Sequence, residues 1–410
     1  MRPLHPSPFL GRSLESATVS QRIAERVAQR NKWPEFYSPS AVGFLKLSWK
    51  HGKTLFNFVG SDSCPTLEKL DEEFEVMQVD YDAIRNFGAK QQPRIQTTWV
   101  GHATVLAQMS TGNLTSWNIL TDPVFSKHCS PMPDSMGPER YRPPAFASPS
   151  ELKHQGITID VVMISHNHYD HLDYPSVVSL AECYPRCIFV VPLGLKDWFS
   201  KHVKHAKGRV VELDWHESIT ITEKTFMEPI SSLSVTDVKK NAIKNEPQCF
   251  VHSTQPAVET PLKITAVPMC HWSSRQGLDR DKTLWCGFVA STVQESDKEE
   301  HKFLFAGDTG YFAACKEEVG KYGPFDVAAL PIGAYYPRDL MKPNHMDPFD
   351  AVRMMQSVNA KCAIPIHWGT FPLTVEHVLE PRNLLHKALD ESGISRDRFN
   401  TWKIGQTLGF

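Results

Sequence analysis

The segment Ser165 to His171, Ser-His-Asn-His-Tyr-Asp-His, constrains this chain more than any other. It sets His166, His168, Asp170 and His171 within six positions. Carboxylates and imidazoles are seldom buried together without something that holds them. Together they form the donor set that suits zinc and neighbouring divalent ions. Side chains alternate along an extended segment, so His166 and His168 face one side and can share an ion. Asp170 and His171, past a bend, can serve a second. The apolar run Ile159 to Ile164 just before them reads as a buried strand. The cluster then stands on the loop after a core strand, where sites tend to lie in α/β sheets. A histidine-rich surface loop is the plainer alternative, and it loses ground if the rest of the chain supplies the missing ligands.

Four further residues share that setting, each closing a short apolar run: Asp122 after Asn118–Thr121, His271 after Ile264–Met269, Asp308 after Lys302–Gly307, and His367 after Cys362–Ile366. Strand ends converge on one edge of a sheet, so residues far apart in sequence can meet there. The surrounding pattern alternates strands with helices, which predicts a layered α/β protein. Strands are expected at Thr97–Met109, Trp117–Thr121, Val161–Ser165, Ile188–Pro192, Val210–Asp214, Ile264–Pro268, Leu284–Ser291, Phe303–Ala306, Val327–Pro331 and Ala363–Ile366. Helices are expected at Tyr174–Tyr184, Leu195–Val203, Ala313–Tyr322, Pro348–Val358 and Glu380–Glu391. Asp347 is placed to cap the fourth of these, with Pro348 in its first turn.

With 410 residues, 41% of them hydrophobic, the chain can build one large domain with a sizeable core. Three regions are expected. Residues 1–31, polar and rich in Ser, Arg and Pro, read as a mobile arm, with helical character over Ser20 to Gln29. Residues 32–93 read as an extension that either packs on the domain or faces a membrane. Trp33, Phe36, Tyr37, Phe44, Trp49 and Phe56 make it aromatic, and Lys46, Lys50 and Lys53 share one stripe of a possible helix. Residues 94–410 are expected to form the main α/β domain, broken by a polar excursion from Thr225 to Pro261.

A net charge of −2 carries no nucleic-acid signal. Nine cysteines form no regular framework, so reduced thiols are expected, the close pair Cys183 and Cys187 included. No run of 18 apolar residues could span a bilayer, and no signal-peptide core opens the chain. An intracellular protein that is not secreted is expected.

The pattern resembles the metallo-β-lactamase superfamily, whose His-x-His-x-Asp-His signature stands here as His166, His168, Asp170 and His171. His271, Asp308, His367 and Asp122 match its other motifs. Flanking words resemble the branch of N-acylphosphatidylethanolamine-hydrolysing phospholipases D: Trp99 to Thr104, Leu120 to Ser126, Ile164 to Tyr174, Pro192 to Leu195, Ala306 to Tyr311, Pro331 to Tyr335 and Ile366 to Phe371. The resemblance runs from about Trp33 to the C-terminus.

It implies an αββα sandwich with two Zn²⁺ per chain at one edge. His166, His168 and His271 would hold one ion, and Asp170, His171 and His367 the other. Asp308 would bridge both. Two zinc ions, two aspartates and one hydroxide leave about +1, which favours an anionic phosphodiester. The implied reaction is hydrolysis of an N-acylphosphatidylethanolamine to phosphatidic acid and an N-acylethanolamine. His345 matches a histidine near the substrate phosphate, where it would donate a hydrogen bond or protonate the leaving oxygen. Tyr169 is a second candidate for contacting substrate, and Asp122 for orienting a ligand histidine. His102 reads as packing or support. Leu193 to Phe199, with Trp198 and Phe199, and the aromatic N-terminal part are the candidate apolar entrances for lipid.

The resemblance further implies a homodimer, peripheral on the cytosolic face of internal membranes, with a membrane phospholipid as substrate. Bile acids bind in the family. Here Ser273 and Ser274 separate His271-Trp272 from Arg275, and Pro372 follows Phe371, so that property does not carry over directly. Two other functions are open: a soluble di-metal hydrolase of a lactone or cyclic phosphodiester, which the same ligands would serve, and an inactive, zinc-containing membrane scaffold, against which the intact ligand set argues because structural zinc sites are normally closed and single.

Overall fold

Alternation of side chains along the strands decides the layering. In the computed structural model, which describes residues 17–37, 65–88, 93–111, 115–222, 236–237, 260–293 and 299–410, Val161 and Met163 point into one core while Val162 and Ile164 point into another. Ile188 and Val190 divide from Phe189 and Val191 in the same way. Strands buried on both faces need a layer on each side, and the chain supplies them.

The first sheet comprises β1 (Ile95–Gly101), β2 (Thr104–Ser110), β3 (Ser116–Thr121), β4 (Val161–Met163), β5 (Ile188–Pro192) and β6 (Val210–Leu213). The second begins with β7 (Glu217–Ile221), β8 (Thr236–Asp237), β9 (Leu262–Val267) and β10 (Gly287–Val293), and continues with β11 (Glu300–Phe305), β12 (Phe325–Pro331) and β13 (Ala360–Ile366). The C-terminal β14 (Thr407–Gly409) returns to the first sheet. The orders are β14-β1-β2-β3-β4-β5-β6 and β13-β12-β11-β10-β9-β7-β8.

Inner faces of both sheets share one core, in which Ile119 and Met163 are joined by Ala266, Phe288 and Phe303. Helices α2 (Tyr174–Cys183) and α3 (Lys196–His202) cover the outer face of the first sheet. Helices α4 (Pro348–Ser357) and α5 (Glu380–Ser392) cover the second, with Met354, Met355, Leu385 and Leu389 turned inward. The architecture is the expected αββα sandwich. Asp347 caps α4 by accepting from the Asp350 amide, as its sequence predicts.

The N-terminal helix α1 (Val19–Arg30) corrects one expectation. Over these residues the arm is not mobile but docked. A capping box between Thr18 and Gln21 starts the helix. Arg22 and Arg26 then grip the buried Asp214 at 3.0 and 2.9 Å. Trp33 stacks between Phe312 and Trp215, at 4.3 and 5.9 Å, so at this position the extension packs on the domain. Burying a ring of that size is worth on the order of 3 kcal/mol. Farther along, Phe74 packs on Trp99 and Trp368. The lysine stripe, Phe44, Trp49 and Phe56 lie outside the described residues, as does most of 225–261.

Other differences have local causes. The single strand expected over Thr97–Met109 is a hairpin, β1 and β2, because Gly101 and His102 take positive φ at its turn. The helix expected at Ala313–Tyr322 shrinks to Cys315–Glu318 and a 3₁₀ turn at Gly320–Tyr322, since Gly320, Gly323 and Pro324 do not sustain an α-helix. Strands β7 and β14 were not expected: their alternation is too polar to announce itself. Phe199 and Leu195, expected near a lipid entrance, are fully core, and of that segment's apolar side chains Trp198 alone keeps partial exposure. Cys183 and Cys187 are free thiols. No helix among the described residues is long and apolar enough to cross a membrane.

Candidate metal centre

Strand direction brings the donors together. β3 and β4 are parallel. β10 is antiparallel to both β9 and β11, and β11, β12 and β13 are parallel, so β9 and β11 to β13 all run one way. The segments that leave these strands meet at one edge of the sandwich. Asp122 follows β3, the His166–His171 loop β4, His271 β9, Asp308 β11, His345 β12 and His367 β13.

There the donors fall into two groups. In the first, His168 Nδ1 lies 2.8 Å from His166 Nε2 and 3.4 Å from His271 Nε2. In the second, Asp170 Oδ2 lies 3.3 Å from both His171 Nε2 and His367 Nε2. Asp308 faces both. Its Oδ2 is 3.9 Å from His166 Nε2, 3.7 Å from His271 Nε2 and 3.2 Å from His171 Nε2, and its Oδ1 is 3.1 Å from His367 Nε2. All seven predicted ligands therefore meet. His345 joins them at the rim, its Nδ1 4.0 Å from Asp308 Oδ2.

The donor set fits divalent cations. Tetrahedral zinc bonded at about 2.1 Å requires ligand atoms roughly 3.4 Å apart, close to most of the spacings above. His171 Nε2 and Asp308 Oδ1 are buried without a hydrogen bond, which costs stability unless something else engages them. The far nitrogens of three imidazoles are already occupied. His171 Nδ1 donates to Asp122 at 2.6 Å, His166 Nδ1 to Ser165 Oγ at 2.9 Å, and His271 Nδ1 to the Asn344 carbonyl at 3.0 Å. Each such bond fixes the ring so that Nε2 is the nitrogen that faces the centre.

Electrostatics separate the two groups. In the first, burial pushes His166 and His271 well below the usual histidine value, and His168 down to about 4. In the second, burial acts the same way but loses. Asp308, Asp170 and Asp122 hold His171 well above its usual value, and Asp308 with Asp170 holds His367 at about 9. Asp308 and Asp170 are in turn kept ionised, since His171 and its neighbours outweigh burial. His345 falls to about 4 through burial, with His367 adding to it and Asp308 opposing.

The frame around the donors is strained. His102, Asp122 and His367 all take positive φ, at 54°, 30° and 63°, a conformation costing on the order of 1–3 kcal/mol for a residue with a side chain. Hydrogen bonds hold it: His367 N donates to the His102 carbonyl at 3.0 Å, and His102 N to Thr370 Oγ1 at 2.7 Å. Gly307 also has positive φ, and a Cβ there would lie 2.5 Å from that of Ser165, so the Asp308 turn can close only on glycine.

Asp122 accepts from the Ser165 amide and hydroxyl at 2.7 and 2.5 Å, besides holding His171. His102 belongs to the centre too, its Nε2 3.1 Å from Asp170 Oδ2. The sequence signal was the turn between β1 and β2, hidden when the two were read as one strand. Tyr169 is engaged elsewhere: its hydroxyl donates to the Arg275 carbonyl at 3.0 Å and its ring lies 4.0 Å under that guanidinium. The sequence links Arg275 only to bile-acid binding. In the structure its Nη1 donates to the Asn167 and Leu172 carbonyls, at 3.1 and 2.8 Å, bracing the histidine loop.

Comparison with known proteins identifies the family. Residues 117–368 match the beta-lactamase superfamily domain. An N-acyl-phosphatidylethanolamine-hydrolyzing phospholipase D of Caenorhabditis elegans is 35% identical over 297 residues, covering 72% of this chain and 69% of that protein. A mitochondrial protein of the same name from Saccharomyces cerevisiae is 32% identical over 324 residues, covering 77% of this chain and 56% of that one. Among solved structures, Igni18, a metallo hydrolase of Ignicoccus hospitalis, aligns with a TM-score of 0.47 and 18% identity over 77% of this chain and 98% of its own.

Proposed function

The chain is a metal-dependent hydrolase of the beta-lactamase superfamily, and from that premise we propose that it is a di-zinc phospholipase D. Its substrate is an N-acylphosphatidylethanolamine, cleaved to phosphatidic acid and an N-acylethanolamine. The observation that carries this reading is Asp308, whose two oxygens lie 3.1–3.9 Å from donor atoms of both groups. His166, His168 and His271 would hold one Zn²⁺, Asp170, His171 and His367 the other, and Asp308 would serve both. Such a pair, when bound, lowers the pKa of a shared water and offsets charge on a phosphoryl oxygen.

The protein's own groups do the rest. Asp308 and Asp170 stay anionic, so two carboxylates against two divalent ions leave a positive field that draws in a phosphodiester. Asp122 and the Asn344 carbonyl keep His171 and His271 turned toward the centre. His345, neutral at pH 7, is suited to donate a hydrogen bond to a phosphoryl oxygen rather than a proton to the leaving group. Trp272, beside His168 at 4.5 Å, and Phe371, beside His102 at 5.2 Å, supply apolar surface next to the charged atoms.

The same segments carry exposed apolar side chains: Tyr174 beyond the histidine loop, Tyr336 before His345, and Leu278, 92% exposed, beyond His271. They support a reading in which the site edge meets a phospholipid surface; its place on the cytosolic face of internal membranes is a further part of the proposal. Mass spectrometry of products from vesicles containing N-acylphosphatidylethanolamine tests the reaction. Phosphatidic acid with free N-acylethanolamine, lost on chelation and restored by Zn²⁺, is the expected result. Diacylglycerol or a lysophospholipid, or turnover that survives complete chelation, overturns it.

A further inference from the structure

We propose that Arg30 is a positioning residue for the first donor group, which makes the N-terminal helix a working part of the metal centre. The inference rests on the two-metal reading above. Arg30 is only 2% exposed, an unfavourable place for a cation unless each of its donors is used. Nε and Nη2 donate to Asn31 Oδ1 at 3.1 and 2.9 Å, and Nη1 and Nη2 serve the segment that carries His271. Nη1 donates to the His271 carbonyl at 2.8 Å, and Nη1 and Nη2 reach the Asp281 carboxylate at 3.3 and 3.1 Å. The rings of Phe36 and Trp285 stack on the guanidinium at 4.0 and 4.7 Å. Asp281 is itself tied back to the loop, its amide donating to the Ser273 carbonyl at 2.8 Å.

One guanidinium thus clamps both ends of the 271–281 loop to α1, and α1 is anchored to the body of the protein by Arg22 and Arg26 on Asp214. His271 is held at two points: its imidazole by the Asn344 carbonyl and its main chain by Arg30. Cys270 just before it is pinned, its amide donating to Thr309 Oγ1 and its carbonyl accepting from the Gly310 amide, both at 2.9 Å, so release from the second lets His271 pivot about Cys270 and shift Nε2 relative to His166 and His168. The second donor group has no contact with α1 in its chain of supports, which run through Asp122, His102 and Thr370. Loss of Arg30 should therefore weaken one ion and spare the other. A planar fork is needed to reach a carbonyl and a carboxylate together, and lysine offers only a point charge.

The test uses full-length Arg30→Gln, Arg30→Lys and Asp281→Asn, with zinc counted by mass spectrometry and Co²⁺ titrated by its visible absorption. Arg30→Gln should bind one ion roughly 10- to 100-fold more weakly, the range seen when a ligand's support is removed, while the other is held as in the unsubstituted protein. Arg30→Lys should recover part of the loss. A general loss of stability would lower the melting temperature without separating the two affinities. If Arg30→Gln does not fold, Asp281→Asn, which leaves the His271 contact but loosens the clamp, should show a several-fold weakening of the same ion. Folded variants that keep both ions as tightly as the parent overturn the proposal. A parent chain that never binds two ions instead overturns the two-metal reading.

Discussion

The two halves of the centre reach the same end by opposite means. His166, His168 and His271 form a group with no carboxylate of its own, and burial, helped by repulsion from neighbouring histidines, keeps their imidazoles neutral. His171 and His367 sit among Asp170, Asp308 and Asp122, which attract protons to them when no metal is bound. The first half is ready to accept a cation but must be held in shape by outside groups. The second is held together by its own charges and must give up protons to bind.

The most severe way to break this comparison is to remove what both halves share. Asp308→Asn replaces a carboxylate within 4 Å of four imidazoles by an amide. Turnover should fall by at least about 1,000-fold, with zinc content reduced below two per chain, since an uncharged bridge stabilises two cations poorly. Normal activity in a folded Asp308→Asn protein would refute a shared carboxylate. Asp122→Asn comes next. It weakens the 2.6 Å contact to His171 and should lower affinity for the second ion roughly 10- to 100-fold. Competition with a chromophoric chelator would show whether the first ion is spared.

Proton linkage gives a third test, whose sign follows from the halves. In the metal-free protein His171 and His367, the latter at about 9, are protonated at pH 7, whereas His168 at about 4 is not. Binding at the second group must release protons, so its affinity should rise as pH climbs from 7 to 9. Affinity at the first group should be flat over that range and fall only in acid. Calorimetry in buffers of differing ionisation enthalpy counts the protons, and equal release at both sites would erase the distinction. The smallest effect is expected from His102→Gln. It leaves Asp170 its two ligand histidines but removes a 3.1 Å partner, so activity should drop by about 3- to 10-fold with both ions retained. An unchanged steady-state rate would reduce His102 to packing.

Much of the first coordination layer was legible because its signal is local. A strand's alternation can be read from neighbours such as Val161, Val162 and Met163, and a polar residue that ends an apolar run announces itself. His271, Asp308 and His367 could be picked out that way. Supports were harder to see. Arg275 reads as a loop cation, and His102 looked like part of a continuous strand. Arg30 sits in a stretch whose composition suggested an unattached arm. What makes each of them matter is a partner between 68 and 251 residues away, and nothing in the neighbouring sequence encodes that distance.

The amino-acid sequence alone therefore determined the layered α/β class, the seven donors and the kind of ion they suit, because period-two burial and donor chemistry are properties of short segments. Only the tertiary structure decided that α1 is docked rather than free, that Asp308 lies between two groups of unlike charge, and which backbone carbonyls hold the ligands in place. Those contacts depend on where distant strand ends come to rest, and that is settled by packing the whole sandwich at once.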